Sequence, residues 1–192
     1  MRTGTKELLF GYHHFLLHPV CVILAWRRLY GEWPRWREAV CILIHDWGYW
    51  GKPNVEGAEG TAHPEFGARI ANALFGREYR DLVRCHSRRH ARAYGREPSR
   101  LCRPDKLAIT YCPLALFVLL TRMSGAWREW EVMAAERGYI AKDTPDLVFA
   151  SRYIAEDIET VYEGRCPRCH EGIWSTSPPF GAEEGEGDGS PT

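Results

Sequence analysis

The stretch that decides the fold is Ile42-Leu43-Ile44-His45-Asp46-Trp47-Gly48, in which an apolar run ends in adjacent histidine and aspartate. A carboxylate at the end of an apolar run costs several kcal/mol to bury unless it is paired, protonated or bound to a metal ion. Neutral imidazole and carboxylate groups are common metal ligands. The stretch therefore predicts a metal site at the end of a buried helix.

Further candidate ligands flank this pair along the chain. Each lies on a predicted helix or at its end, so that rigid elements can bring the side chains together. On a helix, His45 and Asp46 project about 100° apart, so both can reach ions near the helix end, and Asp46 can bridge two ions. A single histidine is more readily explained as a core or surface residue, but the ordered set favours metal binding. The predicted metal ligands are His18, His45, Asp46, His63, His86 and Asp105.

Length and composition are those of one globular domain. The chain has 192 residues, of which 45% are hydrophobic and 26% charged, and its formal net charge is zero. A neutral chain has no overall field that attracts nucleic acid or membranes, so we expect neither a membrane nor a long nucleic acid as partner; homo-oligomerisation is left open. The N-terminal residues lack the apolar segment of a signal peptide, and the longest apolar stretch, 114–120, is too short to span a bilayer. We expect a cytoplasmic protein.

The predicted secondary structure is entirely helical. We expect helices over 5–30, from Pro34 to His45, from Pro64 to Gly76, over 78–94, from Pro104 to 124 with a kink or division at Pro113, over 126–137 and over 145–163. The spacing of apolar residues in the first of these predicts an apolar face of Leu16, Leu17, Val20, Ile23 and Leu24, with His18 on or beside it. No segment shows the alternation of a strand. The fold class is therefore all-α, a single domain of six or seven helices over residues 1–163.

The remainder of the chain, 164–192, differs in composition. It is rich in Ser, Pro, Gly and Glu, and residues 183–188 include four acids, so we expect most of it to be disordered. Cys166, Cys169 and His170 form half of a zinc-ribbon pattern, which leaves open either a zinc completed from elsewhere or a free dithiol. The chain has seven cysteines, an odd number, and five lie in apolar or helical contexts, which favours reduced thiols.

The ligand order also resembles a known family. The segments His18-Pro-Val-Cys-Val-Ile-Leu-Ala, His45-Asp46-Trp-Gly with Lys52-Pro53, His63-Pro-Glu-Phe-Gly-Ala and Asp105-Lys-Leu-Ala resemble the HD-domain superfamily of metal-dependent phosphohydrolases, over about residues 12–107. The resemblance implies a metal held by His18, His45, Asp46 and Asp105. His63 and His86 then resemble the additional ligands of the two-metal branches. The chain lacks the adjacent His-His and Gly-Tyr-Pro signatures of the cyclic-dinucleotide phosphodiesterase branch.

The predicted function is hydrolysis of a phosphate ester or anhydride of a nucleotide-like small molecule by metal-activated water. Two divalent ions (Mn, Fe, Co, Mg or Zn) about 3.5–4 Å apart would activate the water and bind the phosphoryl oxygens. The alternative is a diiron oxygenase of the same superfamily that acts on a small phosphonate- or polyol-like substrate. Tyr12, shortly before His18, slightly favours this alternative, because the chain resembles the phosphonate-cleaving oxygenases of the superfamily in having a tyrosine near its first histidine. A metal-stabilised binding module without turnover is the third and least favoured alternative, because six ligands exceed what a closed structural site needs.

Basic residues near His86 are the candidates for substrate binding. Residues 84–103 contain seven arginines, and Arg84, Arg88, Arg92 and Arg96 recur every four residues, which predicts one helical stripe. The predicted substrate-binding residues are Lys52, Arg88, Arg89 and Arg92. The predicted catalytic residues are Asp46, Lys52 and His90, with His90 as a phosphate contact or general acid. A solvated helix face paired with acids explains the arginines equally well.

Trp47, Tyr49 and Trp50 could stack on a base, although packing is the commoner role of such residues.

Overall fold

In the computed structural model, which describes residues 1–136 and 144–163, every regular element is helical. Two 3₁₀ turns, at Trp47–Tyr49 and Ala108–Tyr111, accompany the α-helices. The eleven helices are α1 (Thr3–Phe10), α2 (Leu17–Tyr30), α3 (Trp36–Ile44), α4 (Ala58–Thr61), α5 (Pro64–Phe75), α6 (Arg77–Arg84), α7 (Arg88–Ala93), α8 (Cys102–Leu107), α9 (Leu114–Ser124), α10 (Ala126–Glu136) and α11 (Asp146–Glu163). The all-α prediction is confirmed. The tail from 164 and the Cys166–His170 motif lie outside the described residues.

The number of helices exceeds the predicted six or seven for three reasons: two predicted helices are interrupted, the helix predicted from Pro104 is divided at Pro113, and the short α4 was not predicted. The first break separates α1 from α2. The Gly11 amide bonds to the carbonyls of Lys6 and Glu7 and closes α1, and the His14 Nδ1 accepts the amide hydrogens of Leu16 and Leu17 at the start of α2. These bonds satisfy helix ends, and apolar periodicity does not reveal them.

The second break divides the helix predicted over 78–94. Ser99, from the following loop, donates its amide to the carbonyl of Cys85 at 2.9 Å and its hydroxyl to the carbonyl of Leu82 at 2.7 Å. Ser87 adopts an extended conformation before α7 begins. The carbonyls at the end of α6 therefore bond to Ser99 and to the imidazole of His86.

The orientation of α2 differs from the prediction. Leu16, Leu17, Val20 and Leu24 are exposed, whereas Val22, Ala25 and Trp26 on the opposite side are fully buried. Because α2 carries apolar residues on most of its circumference, their spacing did not determine which side packs inward. His18 lies on the buried side.

The core consists of several hydrophobic clusters, two of which include residues of α3. Val22 and Trp26 of α2 pack against Ile42 of α3, together with Leu101 and Ala108. On its other side, α3 packs through Cys41 and Ile44 against α5 and α6. The largest cluster joins α1, α9, α10 and α11 and contains Phe117, Trp127, Trp130 and Phe149. The end of α3, where His45 and Asp46 follow, therefore lies among several packed helices.

Two smaller findings concern cysteines and membrane segments. The cysteines within the described residues, at 21, 41, 85, 102 and 112, are buried and free. Within the described residues, no single helix is both long enough and apolar enough to cross a membrane. Residues 102–111 and α9 reach that length and composition only when taken together, and they are bent by 109°.

Candidate metal centre

The structure brings the six predicted ligands together in the interior. Their side chains come from α2, the end of α3, the start of α5, the end of α6 and α8. His45 is fully buried, and Asp105, the most exposed of the six, is 9% exposed. The local sequence explains these positions: His63 directly precedes Pro64, the first residue of α5, and His86 lies in the turn after α6. Each side chain therefore projects from a helix terminus or from a short helix.

The six side chains form two groups that share Asp46. The first contains His18, His45, Asp46 and Asp105, and the second contains Asp46, His63 and His86. The Asp46 Oδ2 lies 3.5 Å from the Nε2 of His18 and 3.1 Å from that of His45. The Asp46 Oδ1 lies 3.3 Å from the Nε2 of His63 and 3.5 Å from that of His86. One carboxylate thus offers one oxygen to each group.

The spacing of the donor atoms fits metal coordination. The Asp105 Oδ1 lies 3.0 Å from the His18 Nε2 and 3.5 Å from the His45 Nε2, so the distances in the first group resemble those around Asp46. Donor atoms about 2.1 Å from one ion are separated by roughly 3.0 Å in octahedral and 3.4 Å in tetrahedral coordination. Both groups could therefore hold an ion without a large rearrangement.

Backbone carbonyls orient three of the imidazoles. In each, Nδ1 bonds to the carbonyl oxygen three residues earlier: His45 to Ile42, His63 to Gly60 and His86 to Val83. A carbonyl only accepts hydrogen bonds, so Nδ1 must carry the hydrogen, and the neutral ring then presents the Nε2 lone pair. Metal-binding histidines in proteins are oriented in this way.

Several of these lone pairs face one another. The Nε2 atoms of His63 and His86 lie 3.1 Å apart, and the His45 Nε2 and Asp46 Oδ2, both buried, have no hydrogen-bond partner. Two buried acceptors in contact are unfavourable unless a cation or a proton lies between them. This arrangement is the strongest indication that the site fits metal ions.

Electrostatics keeps Asp46 and His63 in the forms that bind metal. Burial opposes ionisation of Asp46, but the positive charge of His45 and the hydrogen bonds of the neighbouring imidazoles hold the pKa of this carboxyl well below its usual range. Burial also opposes charge on His63 and lowers the pKa of its imidazole to about 4. Burial has the same effect on His45, but the carboxylates of Asp46 and Asp105 outweigh it and raise the pKa of that imidazole to about 10. In the absence of a metal ion, a proton on His45 thus supplies the positive charge that balances the carboxylates of Asp46 and Asp105.

Close backbone packing holds α3 and α5 in register. A β-carbon added at Gly48 would overlap the carbonyl oxygen of His63, and one at Gly67 would lie 2.5 Å from the carbonyl oxygen of Ile44. Glycine is therefore required at both positions.

The buried ring of Tyr49 stacks on His63 with the centroids 4.1 Å apart, so Tyr49 packs against a candidate ligand and does not present a face for base stacking. Trp50 is exposed.

A cavity of about 30 Å³ adjoins the first group of ligands. His18 and Asp105 form part of its lining. The other lining residues are Tyr12, His13, Lys106, Ile109, Phe117, Trp130 and Tyr153. Residues from α9, α10 and α11 therefore close the site, although the sequence motif lies within residues 12–107.

His13 and Glu7 are the functional candidates that the sequence reasoning missed. Glu7 is fully buried, and its Oε1 accepts hydrogen bonds from the His13 amide at 3.2 Å and the His13 Nδ1 at 2.9 Å. Burial works against charge on His13, but the bond to Glu7 outweighs it and raises the pKa of the imidazole. The ring centroid of His13 lies 5.0 Å from that of His18. The aromatic and basic run Tyr12-His13-His14 just before His18 was the available signal.

Lys52 and His90 have partners other than the small cavity beside His18 and Asp105. Lys52 lines a separate cavity of about 560 Å³, together with Trp47, Trp50 and Arg69. The His90 Nε2 is 2.8 Å from the Oε1 of Glu65. Neither side chain belongs to the lining of the cavity beside His18 and Asp105, and their predicted catalytic roles stay predictions.

The predicted arginine stripe on one helix is wrong. Arg84 ends α6 and Arg88 begins α7, so the turn at 85–87 breaks the spacing. Arg84 donates to Glu65 at 2.9 Å and Arg96 to Asp81 at 3.2 Å, which supports pairing with acids for these two. Arg89 donates to the carbonyl of Glu56 and to the hydroxyl of Thr61. Arg88 is half-buried, and one of its buried guanidinium nitrogens has no hydrogen-bond partner. Arg92 is exposed.

Comparison with known proteins found no matching family profile, no matching curated protein and no matching solved structure. The buried His/Asp cluster could bind metal and is compatible with a site of the HD type. Its interpretation rests on the residues themselves.

Proposed function

We propose that this protein is a metal-dependent phosphohydrolase of the HD type that cleaves a phosphate ester or anhydride of a small molecule. The observation that carries the proposal is the position of Asp46, whose two oxygens face two separate groups of buried imidazoles. A structural site needs only one closed set of ligands. A carboxylate shared between two open groups is typical of two-metal hydrolytic centres.

The two groups have distinct roles in this proposal. His18, His45, Asp46 and Asp105 would hold one ion, and Asp46, His63 and His86 would hold the other. When bound, such ions supply an acidified water molecule and stabilise negative charge on phosphoryl oxygens. The carbonyls behind His45, His63 and His86 keep these rings in the tautomer that binds metal.

The residues around the small cavity would act on the substrate. Lys106, whose Nζ lies 3.7 Å from the Asp105 Oδ2, places a cation beside the ligand group and favours an anionic substrate. His13, oriented by Glu7 through Nδ1, can donate a proton to the leaving group through Nε2. His13 therefore replaces His90 as our candidate general acid. The aromatic lining excludes bulk water and strengthens these electrostatic interactions.

The test is phosphate release by protein that has been stripped of metal and reconstituted separately with Mn²⁺, Fe²⁺, Co²⁺, Mg²⁺ or Zn²⁺. The panel includes alkyl phosphates, sugar phosphates, pyrophosphate and nucleotides. Asp46→Ala should lose both activity and bound metal, because both groups lose their shared ligand. Asp146→Ala is the matched control, since it removes a carboxylate paired with Arg122 away from the site. Retention of metal and rate in Asp46→Ala would refute the two-metal proposal.

A diiron oxygenase is the second candidate, and the position of Tyr12 favours it. Its buried ring meets His18 edge-on with the centroids 5.0 Å apart and lines the small cavity. Substrate-dependent oxygen consumption by the iron-loaded protein, with small phosphonates or polyols, tests this candidate. Turnover that requires both iron and oxygen, without phosphate release under argon, would favour the oxygenase over the hydrolase.

A further inference from the structure

We propose that the substrate is a compact anion, a phosphoryl or phosphonyl group bearing an organic part of only a few atoms, and that Trp130 sets this size limit. This inference rests on the proposed function for the identity of the anion. It differs from the nucleotide-like substrate expected from the sequence, and its basis is the shape and chemistry of the cavity beside His18 and Asp105.

The volume of this cavity is the first argument. It measures about 30 Å³, which is room for about two or three water molecules. Pockets that enclose drug-sized ligands typically measure about 300–1,000 Å³. The cavity is partly open, so its wall limits only the part of a substrate that lies between the candidate ligands and the aromatic rings. A nucleoside directed toward Trp130 would have to displace this wall, whereas a short organic arm requires smaller adjustments.

The wall itself is a stack of aromatic rings. Trp130 of α10 lies between Phe117 of α9, at a centroid distance of 5.6 Å and an interplanar angle of 10°, and Tyr153 of α11, at 5.4 Å and 20°. Tyr12 meets Phe117 edge-on at 5.1 Å. All four rings are buried, and Trp130 is only 2% exposed. Close-packed interiors resist the displacement of large side chains, so the stack limits the size of the substrate group that the cavity can accept.

Hydrogen bonds fix Trp130 in addition to packing. Its indole Nε1 donates to the Oε1 of Glu56 at 3.0 Å. The neighbouring Glu129 accepts the amides of Val55 at 2.7 Å and Glu56 at 3.0 Å. Helix α10 is thus attached at adjacent positions to the loop that precedes α4. Rotation of the indole away from the cavity would break the bond to Glu56.

The polar side of the cavity defines the charge of the substrate. His13 and Lys106 line it together with the candidate ligands His18 and Asp105. Two basic side chains beside a metal group suit an anion. Facing them, the rings of Phe117 and Trp130 suit a short apolar substituent. The lining therefore matches a small amphiphilic anion.

The larger cavity does not supply the missing space. Its volume is about 560 Å³, but none of the six candidate ligands belongs to its lining. Trp50 and Phe66, which line it, are largely exposed. A nucleoside in that cavity would not place its phosphate beside His18 and Asp105.

The experiment compares binding and cleavage across substrate size. Calorimetry of the metal-loaded full chain measures affinity for inorganic phosphate, ethyl phosphate, methylphosphonate and adenosine monophosphate, and phosphate release is measured with the esters. We expect the wild type to bind the small anions at least tenfold more tightly than the nucleotide. Trp130→Ala should reduce or reverse this preference, and Trp130→Phe should change it less.

Trp127→Ala is the matched control. Trp127 belongs to the same helix and is also buried, but it packs against Phe149, donates to Glu131 and does not line the small cavity. It should lower the melting temperature without changing the preference for size. If Trp130→Ala does not fold, Trp130→Phe and the wild-type affinities still decide the matter.

The outcomes separate this inference from the proposed function. Nucleotide binding by the wild type as tight as that of the small anions, or no anion binding at all, would overturn the size limit. An unchanged size preference in a folded Trp130→Ala would overturn the role of Trp130. Selective binding of small anions without phosphate release under any metal would support the size limit and refute the hydrolase.

Discussion

Among the described residues, Asp46 is common to both candidate ligand groups, so the proposed two-metal centre depends on this carboxylate. Three of the histidines around it, His45, His63 and His86, are held by bonds to backbone carbonyls in a conformation that leaves Nε2 available. Their orientation therefore depends on local helix geometry, and metal binding would require little reorganisation. Near the same site, the buried Glu7 orients His13 by the same principle, with a carboxylate in place of the carbonyl.

A substitution at His13 tests whether this imidazole acts in the reaction. His13→Gln should lower kcat by roughly 10²–10⁴-fold, the range typical of general acid–base catalysis, while metal content stays unchanged because His13 belongs to neither ligand group. Steady-state kinetics and metal analysis provide the two measurements. His14→Asn is the control, since asparagine can still accept the amide hydrogens at the start of α2. An unchanged kcat in His13→Gln would exclude the role.

At the scale of elements, the ends of helices place the ligands. Helix α3 ends where His45 and Asp46 begin, and α5 starts directly after His63. The two elements come close because Gly48 allows the chain after Asp46 to pass the His63 carbonyl. The relative position of the two ligand groups therefore depends on Gly48, together with Gly67 at the contact between α5 and α3.

Gly48→Ala should disturb the second ligand group more than the first. The added methyl group would overlap the carbonyl oxygen of His63, and such overpacking typically costs about 1–3 kcal/mol. We expect a lower melting temperature and loss of one of two bound ions, measured by calorimetry and elemental analysis. Gly31→Ala is a suitable control. Gly31 has φ of 73° and open space around it, so alanine there costs about 1–2 kcal/mol and should leave two ions bound. Full metal content in Gly48→Ala would contradict this account.

At the scale of the whole molecule, the site joins elements that are distant in sequence. His18 and Asp105 lie 87 residues apart, yet their side chains are 3.0 Å apart. Residues from α9, α10 and α11 then close the cavity. Ions that bind only the folded chain stabilise it by mass action, so metal binding and global stability should be linked.

Metal removal should therefore lower the thermal stability. At a free ion concentration 100 times the dissociation constant, one site contributes about 2.7 kcal/mol, which corresponds to about 5–10 °C in a domain of this size. Differential scanning calorimetry with and without a chelator measures the shift. Asp46→Ala should show no such shift, whereas Asp146→Ala should behave as the wild type. A chelator-independent melting temperature in the wild type would show that these groups do not bind metal.

The helical fold could be predicted because helix-forming patterns are local. The six candidate ligands were predicted from their residue types, their order along the chain and the family resemblance, not from local chemistry alone. Helices α3, α5, α9, α10 and α11 lie close to their predicted positions because proline and glycine mark many of their ends. The division of 5–30 and of 78–94 was not predicted, because it depends on hydrogen bonds from His14 and Ser99. The acidic partners of Arg84 and Arg96 likewise come from other helices or from distant residues.

The sequence by itself determined the class of fold and identified the candidate metal ligands, because helix-forming patterns and metal-binding side chains are properties of the residues. Only the tertiary structure decided which side of α2 is buried, that His13 and Glu7 belong to the site, and how small the adjoining cavity is. These features depend on contacts between segments far apart in the chain. The buried side of α2 depends on where the partners of Trp26 lie, and the cavity on how Trp130 packs between Phe117 and Tyr153.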